Sequence, residues 1–291
     1  ILRKMSFGCS DRRLADQGRH NMTAFVLVHG ASHGSWCWDK VVPLLEAQGH
    51  SAIAVDLPGN TYGEFDIPHS EVTLGTYAQH VCEVLDELDE PVVLVGHSLG
   101  GLTITQTAEY RPDKVKTLVY LTAVLIGPGE SFIPVESRDP ESMRKALNRE
   151  GRSTLSDDLS TVIYDATSVR NLFFNDCSDD DFTWARSMLA PQPASPCIDL
   201  MQTTEENFGR VPRVYIECLK DQAIPPEFQK LMYTKLPCQR VMTLDTGHSS
   251  FLSAPEDLVA HLVSVKTVPR SQTTPRKLSW LHLNKIVYRR Q

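Results

Sequence analysis

Ser98 stands in Gly96-His97-Ser98-Leu99-Gly100, directly after the apolar run Val92-Val93-Leu94-Val95. A strand that ends in a glycine-flanked serine and runs on into a helix has the pattern of a nucleophile elbow, whose sharp turn lifts the hydroxyl clear of the sheet. Glycines suit positions 96 and 100 because side chains there would collide with the neighbouring strand and helix. A serine hydroxyl is a poor nucleophile near neutral pH, so this chemistry needs a histidine to take its proton and an acid to hold that histidine in one tautomer. In the chain order of such elbows, both partners lie downstream.

His248 is the base candidate, because Asp245-Thr246-Gly247-His248 forms a short glycine-containing loop after an expected strand. His261 falls within a helical pattern and His282 in the basic C-terminal stretch. Asp221 follows Val214-Tyr215-Ile216-Glu217-Cys218 and precedes Pro225-Pro226. An acid at that strand end can reach a base on the next strand's loop. Asp245 competes by nearness in sequence, but its loop would have to fold back sharply; Glu217, inside the strand, reads as structural. Acyl transfer also develops an oxyanion, which backbone amides can stabilise. Leu99 N–H, after the nucleophile, supplies one donor, and Ala31 N–H, in the turn His29-Gly30-Ala31-Ser32-His33-Gly34, supplies the second.

These residues need a parallel sheet to present them. β-branched apolar runs recur at 24–29, 51–56, 91–96, 115–122, 212–218 and 239–244, each followed by helical character, which predicts an α/β fold with helices on both faces of a mostly parallel sheet. Helices are expected at about 38–48, at 73–89 with Thr73 as cap, and after Ser98, Pro225 and Pro255. From about 126 to 208 the strand signal stops. Helical pieces are expected instead at 139–150, 156–165 and 179–189, read as an inserted cap on a domain spanning 23–265. Gly30 and the cap residues Phe132, Phe173, Trp184 and Met188 are the candidates for substrate contact, with Ile133, Phe174 and Leu189 beside them; the apolar ones would serve equally well as cap core.

At 291 residues with 41% hydrophobic content, the chain can fill one sizeable core. Its formal net charge is −7, yet residues 1–22 and everything after Asp257 are net basic, so 23–265 is strongly acidic. That argues against a nucleic-acid partner and for a small, uncharged substrate. Residues 1–22 read as a leader, with Met22 the expected natural start, and 266–291 as a basic, unstructured tail. No apolar run is long enough for secretion or a membrane span, which makes the cytoplasm the expected location. Seven scattered cysteines without C-x-x-C spacing signal neither a disulfide framework nor zinc, and no metal or cofactor is called for.

With these residues in place, the stretch from Thr23 to Val265 resembles the α/β-hydrolases, specifically the plant hydroxynitrile lyase and methylesterase group and its bacterial esterase relatives. The resemblance is carried by Phe25-Val26-Leu27-Val28-His29-Gly30, Trp36-Cys37-Trp38, Leu94 through Gly101, Asp221 with Pro226-Glu227-Phe228-Gln229, and Gly247-His248. It implies an α/β-hydrolase fold with a helical cap, a triad of Ser98, Asp221 and His248, and oxyanion donors at Ala31 and Leu99. Lyases of this group carry a threonine after the first-strand histidine and a lysine after the catalytic histidine; Gly30 and Ser249 stand there instead. The resemblance therefore implies a serine carboxylesterase for uncharged hydrophobic esters, with pyrethroid-like xenobiotics among the candidates. Carbamate or amide hydrolysis, hydroxynitrile cleavage and a non-turnover ligand receptor are the alternatives, and assembly into a homo-oligomer stays open.

Overall fold

The computed structural model describes residues 22–60, 65, 67–134, 139–147 and 152–265. The basic tail and all of the expected leader except Met22 lie outside the described residues. In chain order the elements are β1 (Ala24–Val28), α1 (Val41–Ala47), β2 (Ser51–Val55), α2 (Leu74–Asp86), β3 (Val92–His97), α3 (Gly100–Tyr110), β4 (Val115–Leu121) and α4 (Pro140–Leu147). There follow β5 (Ser153–Leu155), β6 (Thr161–Tyr164), α5 (Val169–Phe173), α6 (Asp179–Ser187), β7 (Gln192–Pro193), α7 (Ser195–Ile198), β8 (Arg213–Cys218), α8 (Pro226–Lys235), β9 (Arg240–Leu244), α9 (Ser250–Ser253) and α10 (Pro255–Val265).

Strands β1 to β4, β8 and β9 form a six-stranded sheet in the order β2-β1-β3-β4-β8-β9, and every pairing is parallel. Side chains alternate across a strand, and the core divides accordingly. Phe25, Leu27, Val93, Val95, Val119 and Val214 pack on one face, while Val26, Val28, Leu94, Leu118, Tyr120 and Tyr215 pack on the other. Burial on both faces is why the central strands read as unbroken apolar runs. The edge strand β2 alternates exposed with less exposed positions, and β9 does so from Val241 onward. Thr73 caps α2 as expected, its Oγ1 accepting the Thr76 N–H at 3.0 Å while Thr76 Oγ1 accepts the Thr73 N–H at 3.2 Å.

The segment between β4 and β8 departs from the expectation of helices alone. It contains a second, antiparallel sheet in the order β5-β6-β7. The predicted helical piece at 156–165 is instead a turn followed by β6, whose Thr-Val-Ile-Tyr run is β-branched and aromatic, with Val162 buried and Ile163 exposed. Helices do form at Pro140–Leu147 and Asp179–Ser187. The six described cysteines are free, five of them buried.

Candidate active site

The pairing of β1 with β3 sets Val28 beside Gly96, so the turns after these two strands meet at the carboxyl edge of the sheet. Open α/β sheets bind ligands at such a point, where neighbouring connections run in opposite directions. Ser98 has φ 51°, in the left-handed region that non-glycine residues rarely adopt, and its turn is therefore strained. A Cβ on Gly96 would lie 2.7 Å from Gly100 O, and one on Gly100 2.5 Å from His29 O. Glycine at both positions thus allows α3 to start against the sheet. At Gly30 a Cβ would stand 2.7 Å from Ser98 Cβ.

Beyond β8 and β9, the loops carrying Asp221 and His248 meet. His248 Nδ1–H donates to Asp221 Oδ2 at 2.6 Å, with both side chains buried. That bond leaves the imidazole lone pair on Nε2. The Asp221 carboxylate is saturated, with Oδ1 accepting the N–H groups of Ala223 at 2.7 Å and Ile224 at 2.9 Å, and Oδ2 also accepting the Thr122 hydroxyl. Asp245 points elsewhere, to Lys220 Nζ at 2.8 Å, and His261 lies at the surface with Nε2 donating to Thr243 O at 3.0 Å.

His97, next to the serine, donates through Nε2 to the His248 carbonyl at 3.0 Å, and the two rings are 4.5 Å apart. The elbow and the His248 loop are thereby joined. Ser98 Oγ makes no hydrogen bond to other described residues; contacts of this kind tighten when a substrate binds. His29 is satisfied by its surroundings, with Nδ1 donating to Gly30 O at 2.8 Å and Nε2 accepting Leu57 N–H at 3.1 Å. Burial lowers the pKa of His29, of His33, to about 3, and of His97, so all three are neutral at pH 7.

A cavity of about 310 Å³ opens at Ser98. Ala31 and Leu99 are on its wall with Ser98, and neither of their N–H groups is used in a hydrogen bond among the described residues. Phe132, Ile133 and Phe173 also line it, and Phe173 stacks on the His248 ring with centroids 5.5 Å apart. Gly30, Trp184 and Met188 are not on this wall. Trp184 packs edge-on against Trp36, Met188 packs against the core, and Gly30 lies behind the serine. The sequence reading missed Leu172, which lines the wall from within the insertion, and Phe228 and Met232, which line it from α8. Arg152 is the one charged residue on the described wall, and it has an interaction partner of its own.

Two further groups had no local signal. Thr122 follows β4, and only the β4–β8 pairing reveals that it reaches the acid loop. Asn175 and Asp176 follow α5 and brace both loops: Asn175 Nδ2 donates to Lys220 O at 2.9 Å, and Asp176 Oδ2 accepts the Gly247 N–H at 2.6 Å.

Residues 25–262 match the Alpha/beta hydrolase family. The chain is 32% identical over 252 residues to methylesterase 18 of Arabidopsis thaliana, covering 82% of this chain and 95% of that protein. It is 29% identical over 275 residues to a longer Arabidopsis thaliana protein named as the chloroplastic methylesterase 15, covering 91% of this chain. The chain spans 61% of that protein's length and 64% of a second chloroplastic relative's. Among solved structures, it is similar to a pyrethroid hydrolase from Sphingobium faniae, with 30% identity, a TM-score of 0.75, and coverage of 85% of this chain and 98% of that one.

Proposed function

The chain belongs to the alpha/beta hydrolase family, and from that premise we propose that it is a serine carboxylesterase acting on uncharged, hydrophobic esters through an acyl-enzyme. The observation that carries this reading is the buried His248–Asp221 pair at 2.6 Å, tied through His97 to the strained turn that holds Ser98 on a cavity wall. Ser98 Oγ attacks the ester carbonyl while His248 Nε2 takes the hydroxyl proton. The oxyanion is held by the Ala31 and Leu99 N–H groups. Collapse of the tetrahedral intermediate breaks the bond to the alcohol, which leaves with the proton from His248. Water then adds to the acyl carbonyl, giving its proton to His248, and the acid departs as Ser98 recovers its proton. Asp221 holds the imidazole tautomer and stabilises the imidazolium.

The apolar wall of Phe132, Leu172, Phe173 and Phe228 favours hydrophobic acyl or alcohol groups. Methylesterase and pyrethroid hydrolase are the names of the relatives; for this chain a pyrethroid-like ester is the finer proposal. Cyanohydrin cleavage fits less well. In this backbone a threonine at position 30 would press on Ser98 Cβ, and Ser249 is wholly buried.

The test is hydrolysis of p-nitrophenyl esters of graded chain length, alongside permethrin. Wild-type protein is expected to turn over, with the longer acyl chains preferred. Ser98→Ala is expected to lose at least about a thousandfold in kcat. Equal turnover by Ser98→Ala would refute the mechanism, and preference for short polar acyl groups would refute the apolar substrate class.

A further inference from the structure

We propose that Gln192, on β7, is a positioning residue that holds the oxyanion turn in its working shape; this rests on the reading of Ala31 N–H as an oxyanion donor. The turn is anchored at Ser32, the residue after Ala31. Ser32 has φ 62°, a conformation that is unfavourable for a non-glycine residue and persists only when surrounding structure imposes it. The imposing contacts come from a segment far away in sequence. Ser32 N–H donates to Gln192 Oε1 at 3.0 Å, and Ser32 O accepts the Ala190 N–H at 2.9 Å. Both backbone polar groups of the strained residue are thus taken by Ala190 and by Gln192 of β7.

Gln192 also lines the cavity, and both ends of its amide are held. Its Oε1 also accepts Asn60 Nδ2–H at 2.7 Å, while its Nε2 donates to Pro193 O at 2.9 Å and to the Tyr77 hydroxyl at 3.2 Å. The Tyr77 hydroxyl donates to Asn60 Oδ1, closing the network. Only this amide orientation works, because the flipped one would set Nε2 against two donors. Gln192, Asn60, Tyr77 and Ser32 are all buried, where a fully satisfied network is stiff and a broken one is costly. Loss of the Gln192 acceptor leaves Ser32 N–H unpaired and frees the turn to relax toward negative φ. That rotation would re-aim the adjoining Ala31 N–H, whose contribution exists only while it points at the developing oxyanion.

The test uses the full chain, an ester that the wild type hydrolyses, and a medium-chain alkyl trifluoromethyl ketone, which adds Ser Oγ to form a tetrahedral hemiketal. Gln192→Met keeps the side-chain length and removes the hydrogen bonds. It is expected to lower kcat by about 10- to 100-fold with KM within threefold, and to weaken the trifluoromethyl ketone by the same factor. Gln106→Met is the comparison for structural damage alone. Gln106 is equally buried and, among the described residues, its side chain bonds only to the Gln202 backbone, with Nε2 donating to Gln202 O at 2.9 Å and Oε1 accepting Gln202 N–H at 3.1 Å. It should lose thermal stability and keep kcat within about twofold. Tyr77→Phe loosens the network without removing Gln192 and should lower kcat by about threefold to tenfold at constant KM, which keeps the test open if Gln192→Met does not fold. An unchanged kcat, a rise in KM alone, or equal losses in Gln192→Met and Gln106→Met would overturn the proposal. A wild-type chain without esterase activity, or a Ser98→Ala variant that retains it, would instead sink the function on which it rests.

Discussion

At Ser98 the backbone and the side chain impose opposite demands: the hydroxyl must project into the cavity, and the φ of 51° that achieves this is unfavourable for a serine. The turn survives because its neighbours leave it no other course. Gly30 is the most sensitive of them, since a methyl there would stand 2.7 Å from Ser98 Cβ. Gly30→Ala is therefore expected to displace the nucleophile and reduce kcat/KM on p-nitrophenyl butyrate by about 10- to 100-fold, because misplacement by even an ångström is costly to a preorganised site. A loss below twofold would mean that the elbow can yield without cost. Asp221 shows the opposite economy. Four donors saturate its carboxylate, so the residue has no freedom beyond holding His248.

Among the elements, four loops must agree for the site to exist: those after β1, β3, β8 and β9. The sheet brings them to one edge, and chain from the insertion braces the two that carry Asp221 and His248. Asn175 and Asp176 bond to the backbones of Lys220 and Gly247, neighbours of Asp221 and His248. Asp176→Ala strands the Gly247 N–H. This should cost on the order of 1–3 kcal/mol, or a fall of roughly 3–10 °C in melting temperature for a domain of this size. Because the lost bond adjoins His248, kcat should also fall severalfold; a drop in melting temperature with unchanged kcat would show that the His248 loop holds its place unaided.

Across the whole molecule, the buried neutral histidines couple stability to pH. The pKa of His33 is held at about 3 by burial, and those of His29 and His97 are lowered for the same main reason. In the unfolded chain each would titrate near 6.5. Between that value and the depressed folded one, the unfolded state binds the extra proton, so acid favours unfolding. Stability should be complete above about pH 6.5 and decline as pH falls, His33 contributing about 1.4 kcal/mol per pH unit down to about pH 3 and His29 and His97 acting in the same direction. Urea titrations from pH 7 to pH 4 check this, and His33→Gln should flatten the slope by one proton's worth. An identical slope in the variant would count against burial of a neutral His33. Among the described residues no helix is long and apolar enough to cross a membrane. The sequence alone determined the parallel sheet, through apolar runs that local chemistry forces into buried strands, and it singled out Ser98, Asp221 and His248 by their places at strand ends. Tertiary structure decided what no window of sequence contains. β6 replaced an expected helix because a four-residue apolar run is ambiguous until partners pair with it. Trp184 and Met188 left the cavity wall because an apolar side chain fits core and pocket alike until packing chooses. Thr122, Asp176 and Gln192 came to the site from distant segments, because a hydrogen bond across 160 residues leaves no periodicity to read.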